Sequence, residues 1–403
     1  MRIAIFTDTF FPLINGVAYT AYQSAEFLTK MGHEVLVVTA MDSKNKEILK
    51  QNKKFEIIFS SSIPLGFYPG ERVALPFDLS VLKKLKKFKP DIIHSHTPFS
   101  VGWSAVMISK MLHVPLVGTH HTFYDHYLKY VMLDHSFGKK LSWKYTVLYY
   151  NFCDLVLSPS ESLADELIKN GLKKPTQIFR NAIDTNFFVQ PSLENKKALK
   201  KKYGLEDFSA VYVGRLSYEK SVDKVLEAFS IVHKEIRSAS WRTADQKISL
   251  LIGGDGPARQ SLEELSEKLN IQNKIKFLGF VRGQEWLEVF QSADMFMTAS
   301  KSENMPLTII EAMSAGLPVV AVGEKGVVEI VENGESGFLS KADDVRDMAR
   351  NILKLQRDKN LREAMGSKAR NLALKYSYEE IGKNLANVYS EVVNGLINSP
   401  QTK

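Results

Sequence analysis

Residues 295–323 read MFMTASKSENMPLTIIEAMSAGLPVVAVG, and the alternation inside this stretch decides the fold. MFMTAS at 295–300 is short, apolar and ends in polar residues, as a buried parallel strand does, and PVVAVG at 318–323 has the same character. One helix separates them. Asn304 suits its N-cap, Pro306 is tolerated in a first turn where the missing N–H costs nothing, and Gly316 followed by Pro318 supplies the stop. The helix therefore opens at the carboxyl end of a strand, the edge where open α/β sheets hold ligands, with its first N–H groups free for a phosphate. Glu303 before the helix and Glu311 within it set two carboxylates at that mouth. Acidic groups near a helix start complement its dipole. Beside an anion-binding edge they also suit the hydroxyl groups of a sugar and a ribose.

The same alternation runs through the chain. RIAIFTD (2–8), EVLVVTA (34–40), DIIHSH (91–96), PLVGTHH (115–121) and LVLSPS (155–160) are apolar strands separated by helical patterns. After NAIDTNFF (181–188) comes a lysine-rich, weakly apolar stretch to about residue 202, which reads as a linker. A second series follows: SAVYVGR (209–215), ISLLIGG (248–254), KIKFLGF (274–280) and the two strands quoted first. Two Rossmann-like α/β domains joined near 185–205 are expected, which suits 403 residues, too many for one ordinary core. The single cysteine, Cys153, excludes a disulfide framework and suits a reducing compartment. MRIAIFTDTF reads as a strand rather than a signal peptide, and no apolar run approaches the roughly 18 residues of a membrane span.

Candidate chemistry lies at strand ends. Arg215 closes SAVYVGR and Lys220 follows five residues on, two cations at a carboxyl edge, where they could stabilise charge on a leaving phosphate. The turn Gly253-Gly254-Asp255-Gly256-Pro257 fails the dinucleotide fingerprint, because Arg259 stands where a third small residue is required, and no Walker A sequence occurs. Gly254 and Gly256 can still bring backbone close to a diphosphate. No Asp-x-Asp pair exists, and Asp343 and Asp344 sit in a charged late segment, so no metal is expected. His120 and His121 end one strand and point to opposite sides, so only one can face a ligand. His94 and His96 in HSHTPF share that edge.

Glu303 to Glu311 forms E-x7-E, which resembles the signature of the family 4 retaining glycosyltransferases. FPLINGV (11–17), THHT (119–122), GRLSYEKSVD (214–223) and IGGDGPARQSLEEL (252–265) match further motifs of that family in the right order. The resemblance spans nearly the whole chain and implies a GT-B fold, two Rossmann-like domains facing a central cleft. It implies an N-terminal acceptor domain of residues 1–185, a nucleotide-sugar domain of 186–377, and a C-terminal helix within 378–403 that crosses back to the first. By the resemblance Arg215 and Lys220 hold the diphosphate, Glu303 the donor's sugar hydroxyls and Glu311 the ribose. Asn304, Leu307 and Thr308 line the donor site, with Gly254 and Gly256. His121, selected over His120 by the T-x-H-T pattern, contacts the donor sugar, and Asn15 and Gly16 approach the diphosphate from the other domain. Transfer is expected to need no metal or other cofactor and to run front-face, the leaving phosphate taking the acceptor's proton. Asn15, where glycine is commoner, and Pro306, which removes one N–H at the sugar site, depart from the family pattern.

Charge points to the acceptor. Residues 1–180 hold 22 Lys and Arg against 15 Asp and Glu, whereas 181–403 hold 31 against 30. The excess gathers in SVLKKLKKFKPD (80–91), where Val81, Leu82, Leu85 and Phe88 make an apolar face and Lys83, Lys84, Lys86, Lys87 and Lys89 the other. Such a helix either docks on a sheet with solvated lysines or binds anionic headgroups. Residues 122–152 interleave Tyr, Trp and Phe with Lys, as a membrane interface does. HHTFYDHYLKY, with Phe123 and Tyr124, resembles bacterial diacylglycerol glycosyltransferases. No nucleic-acid module accompanies the basic face. The sequence is thus read as a cytoplasmic enzyme, peripheral on the inner face of the cell membrane, that moves a hexose, glucose from UDP-glucose, onto diacylglycerol. A soluble or polyprenyl-linked glycan acceptor is the enzymatic alternative. A non-catalytic nucleotide-sugar or lipid-binding protein is the alternative of another class.

Overall fold

The computed structural model describes residues 1–13, 16–40, 43–50, 54–64, 72–75, 78–121, 136–238 and 247–397. They form two compact units, Met1–Ala182 with Tyr378–Lys403, and Ile183–Ser377. The strands of the first unit are β1 (Arg2–Thr7), β2 (Glu34–Thr39), β3 (Glu56–Phe59), β4 (Ser62–Pro64), β5 (Arg72–Ala74), β6 (Ile92–Ser95), β7 (Leu116–Thr119), β8 (Leu155–Ser158) and β9 (Thr176–Ile178). Apart from the antiparallel pair β4–β5, they make one seven-stranded sheet of order β3-β2-β1-β6-β7-β8-β9, parallel throughout.

The second unit holds β10 (Phe208–Val213), β11 (Ile248–Gly253), β12 (Ile275–Gly279), β13 (Met295–Thr298), β14 (Val319–Val322) and β15 (Gly337–Ser340) in the order β12-β11-β10-β13-β14-β15. Both sheets are doubly wound, and each reverses direction at one point, between β1 and β6 and between β10 and β13. At such a reversal the loops leaving neighbouring strands splay apart and open a crevice.

Burial on both faces explains the unbroken apolar strands. All six residues of β10 are buried. Ala210 and Tyr212 pack on one side with Val225, Phe229 and Ile252, and Val211 and Val213 on the other with Phe290, Phe296 and Ile309. Each large side chain so enclosed contributes about 1.5–3 kcal/mol. Helix Val222–Ser238 turns Val222, Val225, Leu226, Phe229, Val232 and Ile236 inward at helical spacing. The last helix, Tyr378–Val393, buries Leu385, Val388 and Tyr389 in the first unit's core with Ile3, Ile5 and Leu28.

The lysine-rich stretch after residue 188 is not a linker. It forms helix Leu193–Tyr203 of the second unit, capped by Ser192 Oγ, which accepts from Asn195 N at 3.1 Å. Leu199 and Tyr203 are buried, and the lysines have a partner: Lys196 and Lys200 reach the nearly enclosed Asp294 at 2.9 and 2.5 Å.

Candidate active site

The second unit's site is built on the loops leaving β10 and β13, the two strands that flank its reversal point. Gly214 N donates to Gly253 O at 3.0 Å, Leu216 N to Asp255 O at 3.0 Å and Ala258 N to Leu216 O at 2.9 Å, so the turn after β11 is stitched to the Arg215 loop. A Cβ on Gly254, whose φ is +151°, would lie 1.9 Å from Gly214 O, and one on Gly256 would lie 2.4 Å from Leu216 O. The glycines expected to approach a diphosphate are thus required by the neighbouring loop, and what they position is Arg215. Tyr212 helps: its hydroxyl donates to Arg215 O at 3.2 Å, and burial, with the charges of Glu303 and Glu219, pushes the phenol's pKa up. The Arg215 side chain is left exposed.

Lys220 ends a short 3-10 turn, Tyr218–Lys220, and its Nζ donates to Glu303 Oε1 at 2.6 Å. Loops from both flanking strands therefore meet in one partly buried ion pair, whose side chains are 28% and 18% exposed. Nearby Glu219 accepts from Ser217 Oγ at 2.7 Å. Burial opposes its charge, yet that hydrogen bond and the charges of Arg215 and Lys220 hold its carboxyl below the usual range.

The helix carrying Glu311 is Leu307–Ser314, and it starts later than the sequence suggests. Its N-cap is Pro306, with φ −75° and ψ 90°, and no side chain caps it. Asn304 lies in the preceding loop instead. Proline's ring fixes φ and lets Pro306 O accept from Ile309 N at 3.1 Å, which closes the first turn without a side-chain acceptor. Leu307 and Thr308 are the first two helical residues and are half-buried.

Glu311 follows one turn on, 4% exposed, and its Oε2 has no hydrogen-bond partner. Burial pushes its carboxyl up to about 8. Ser300 Oγ and Asn304 Oδ1 in the same segment are also buried without partners. Each such atom costs about 1–3 kcal/mol when left unsatisfied. All three lie between residues 300 and 311, in the segment that follows β13.

Gly326, which the sequence reading passed over, supports this segment. Its N donates to Glu303 O at 3.0 Å, and a Cβ there would lie 1.7 Å from Asn304 O. Only a glycine lets that backbone lie against the Glu303 loop.

In the first unit, Gly16 opens helix Gly16–Lys30, and a Cβ built on it meets nothing within 4 Å, so packing does not demand glycine there. Asn15, Phe123 and Tyr124 lie outside the described residues. Asp8, at the end of β1, was not singled out from sequence and is the hub of this edge. It accepts from Thr97 Oγ1 at 2.6 Å, Ser100 Oγ at 2.7 Å and Val101 N at 2.8 Å, tying β1 to the loop and helix after β6. Burial raises its pKa and these hydrogen bonds oppose the rise.

The histidines separate by role. His94 is enclosed, with Nδ1 2.5 Å from Tyr389 Oη and Nε2 2.6 Å from Thr119 Oγ1, so both ring nitrogens are used internally. His120 packs among aromatics, 5.1 Å from the Tyr150 ring. His121 meets His96, Nε2 to Nδ1 at 3.1 Å, while His96 Nε2 is buried without a partner. Burial pushes His94 and His120 to about 3 and His121 to about 4, so all three are neutral near pH 7. A buried N–H without an acceptor is rarer and costlier than an unused lone pair. His96 therefore donates from Nδ1, and His121 carries its proton on Nδ1.

Lys83, Lys84, Lys86 and Lys87 stand exposed on helix Leu79–Phe88, whose Val81, Leu82 and Leu85 are buried. Lys84 pairs with Glu56 on β3 at 2.7 Å.

Two doubly wound parallel sheets in one chain fit the GT-B architecture of sugar-transferring enzymes, and comparison with known proteins identifies the class. Residues 14–187 match the model for Glycosyltransferase Family 4 and residues 195–372 that for Glycosyl transferases group 1. Alpha-monoglucosyldiacylglycerol synthase of Streptococcus pneumoniae is 31% identical over 84% of this chain and 75% of its own. The protein of that name from Acholeplasma laidlawii is 28% identical over 98% of both chains. The crystal structure of Anabaena HepE with UDP covers 97% of this chain and 100% of its own at a TM-score of 0.79 and 21% identity. The chain belongs to the GT-B glycosyltransferases and is an enzyme of that family.

Proposed function

We propose that this glycosyltransferase moves glucose from UDP-glucose to diacylglycerol, with retention of configuration and without a metal, at an anionic membrane surface. The donor half of this reading is carried by Glu311, a buried carboxyl with a bare oxygen one turn inside an uncapped helix. In this reading it accepts from the ribose hydroxyls. Glu303 and Asn304 take sugar hydroxyls, and the first N–H groups at Leu307 and Thr308 receive phosphate oxygens. Arg215 and Lys220 stabilise the charge that grows on the distal phosphate as the anomeric C–O bond breaks. Their fixed charge replaces a divalent ion.

The acceptor hydroxyl attacks the same face of the anomeric carbon, and its proton passes to the departing phosphate oxygen. No protein nucleophile is needed. The family resemblance also assigns His121 to the donor sugar and Asn15 and Gly16 to the diphosphate. Gly254 and Gly256 act through the Arg215 loop.

The acceptor half rests on similarity to the two synthases, at 31% and 28% identity. No helix among the described residues is long and apolar enough to cross a membrane; the reading places the enzyme at the inner face of the cell membrane, held by surface contacts. The exposed lysines of helix Leu79–Phe88 fit attraction to anionic headgroups. The test is transfer from radiolabelled UDP-glucose, UDP-galactose, UDP-glucuronic acid and GDP-mannose to diacylglycerol in mixed micelles, with and without EDTA. UDP-glucose should give an α-linked, chloroform-soluble product unaffected by EDTA. No lipid product from any donor, a β-linked one, or loss of turnover in EDTA would overturn the corresponding part of the reading.

A further inference from the structure

Helices Ser100–Leu112 and Ser136–Tyr150 of the first unit contain no acidic residue, and both leave large apolar side chains in solvent. On the second helix these are Phe137, Leu141, Tyr145 and Leu148, followed by Phe152 just past its end, all between 38% and 70% exposed. At about 100° per residue the five fall within a stripe about 80° wide, so they line one face. The first helix adds Met107 and Met111, also exposed. Trp103 joins the two: its Nε1 donates to Tyr145 Oη at 3.0 Å, and its ring lies 5.6 Å from that of Phe152. Exposed Lys110, Lys140 and Lys144 stand on the same two helices. A contiguous apolar patch of this kind marks a binding surface.

We propose that this two-helix face inserts into the interfacial layer of an anionic lipid bilayer. The inference rests on the lipid-acceptor reading and specifies the surface that serves it. Charge selects the occupant. Two copies of the chain meeting symmetrically through this face would set lysines against lysines, with no carboxylate on either helix to answer them. Anionic headgroups neutralise the same lysines while the acyl boundary takes up Leu, Phe and Met. Tyr145 and Trp103 carry polar tips on apolar bodies and suit that depth. The lysine helix Leu79–Phe88 cannot do this part, because Val81, Leu82 and Leu85 are spent on the core and chiefly Leu79 remains outside. It attracts, and the two-helix face inserts.

The test uses the full chain with Phe137→Ser, Leu141→Ser and Leu148→Ser combined, co-sedimented with phosphatidylglycerol vesicles at low and high salt. Wild-type binding should keep a salt-resistant part, because insertion is not screened. The triple variant should lose that part and bind about tenfold or more weakly at low salt, with unchanged turnover of a short-chain soluble diacylglycerol. Leu141→Cys carrying a polarity-sensitive fluorophore gives a second readout, since Cys153 is fully buried and escapes labelling. Its emission should shift to the blue on vesicles. Wild-type sedimentation by the triple variant, or an unshifted emission, would refute the surface. So would sedimentation velocity showing that the substitutions turn a dimer into a monomer and leave vesicle binding intact. Vesicle binding needs no catalysis: if the patch governs binding but diacylglycerol is not glycosylated, the surface stands and the acceptor reading falls.

Discussion

Donor binding should release a proton from Glu311. Its carboxyl is 4% exposed, lacks a partner at Oε2 and is pushed by burial up to about 8, so the ligand-free enzyme holds it protonated at neutral pH. Two ribose hydroxyls donating to it favour the ionised form instead. Affinity for UDP-glucose should then rise about tenfold per pH unit up to about pH 8 and level off above it. Titration calorimetry in buffers of different ionisation enthalpy should find about nine-tenths of a proton released at about pH 7 and about half at about pH 8.

Stability carries the opposite sign. The folded pKa lies above the unfolded one, so the native state binds more protons between about 4.5 and about 8, and stability falls as pH rises through that window. Glu311→Gln removes this cost, about 3 kcal/mol at neutral pH, and should raise the melting temperature of the ligand-free protein by several degrees while weakening UDP-glucose. A pH-independent Kd with no proton release, or a destabilised Glu311→Gln, would refute the reasoning.

Other outcomes follow from the same geometry. Arg215→Ala and Lys220→Ala should each lower kcat about a hundredfold with unchanged circular dichroism, and near-normal turnover in both would remove them from the mechanism. Glu303→Ala should weaken UDP-glucose and spare UDP in calorimetry, whereas Glu311→Ala should weaken both. Gly326→Ala places a methyl 1.7 Å from Asn304 O, so it should cost about 1–3 kcal/mol in urea denaturation and weaken UDP-glucose about tenfold by displacing the Glu303 loop. His96→Asn keeps a donor near the Nδ1 position and should preserve the His121 tautomer seen by 15N NMR. His96→Asp supplies an acceptor and should move that proton to Nε2 with a loss in kcat.

Much of this was legible in sequence for one physical reason: strands buried on both faces read as unbroken apolar runs, and their polar ends announce the ligand edge. The Glu303–Glu311 spacing and the Arg215–Lys220 pair lie on single loops or helices, where local sequence suffices. What escaped depends on partners far along the chain. Lys196 and Lys200 looked like solvated linker because Asp294, which holds them, is more than ninety residues away. The Asp8 hub and the Gly326 contact are closures between separate loops, and nothing local marks them. The His96–His121 pair left a faint signal, since HSH and THH end strands that prove adjacent as β6 and β7. The Glu311 helix starts later than Asn304 suggests because Pro306 closes its first turn without a capping side chain.

The acceptor is decided by a competition in one vessel. Radiolabelled UDP-glucose is offered to the purified enzyme with diacylglycerol in phosphatidylglycerol micelles, a polyprenyl-linked glycan and a soluble oligosaccharide together, and the products are separated by phase and chromatography. The label should pass to the organic phase as α-glucosyl diacylglycerol. Label recovered on either glycan, or only as free glucose, would contradict a lipid glucosyltransferase.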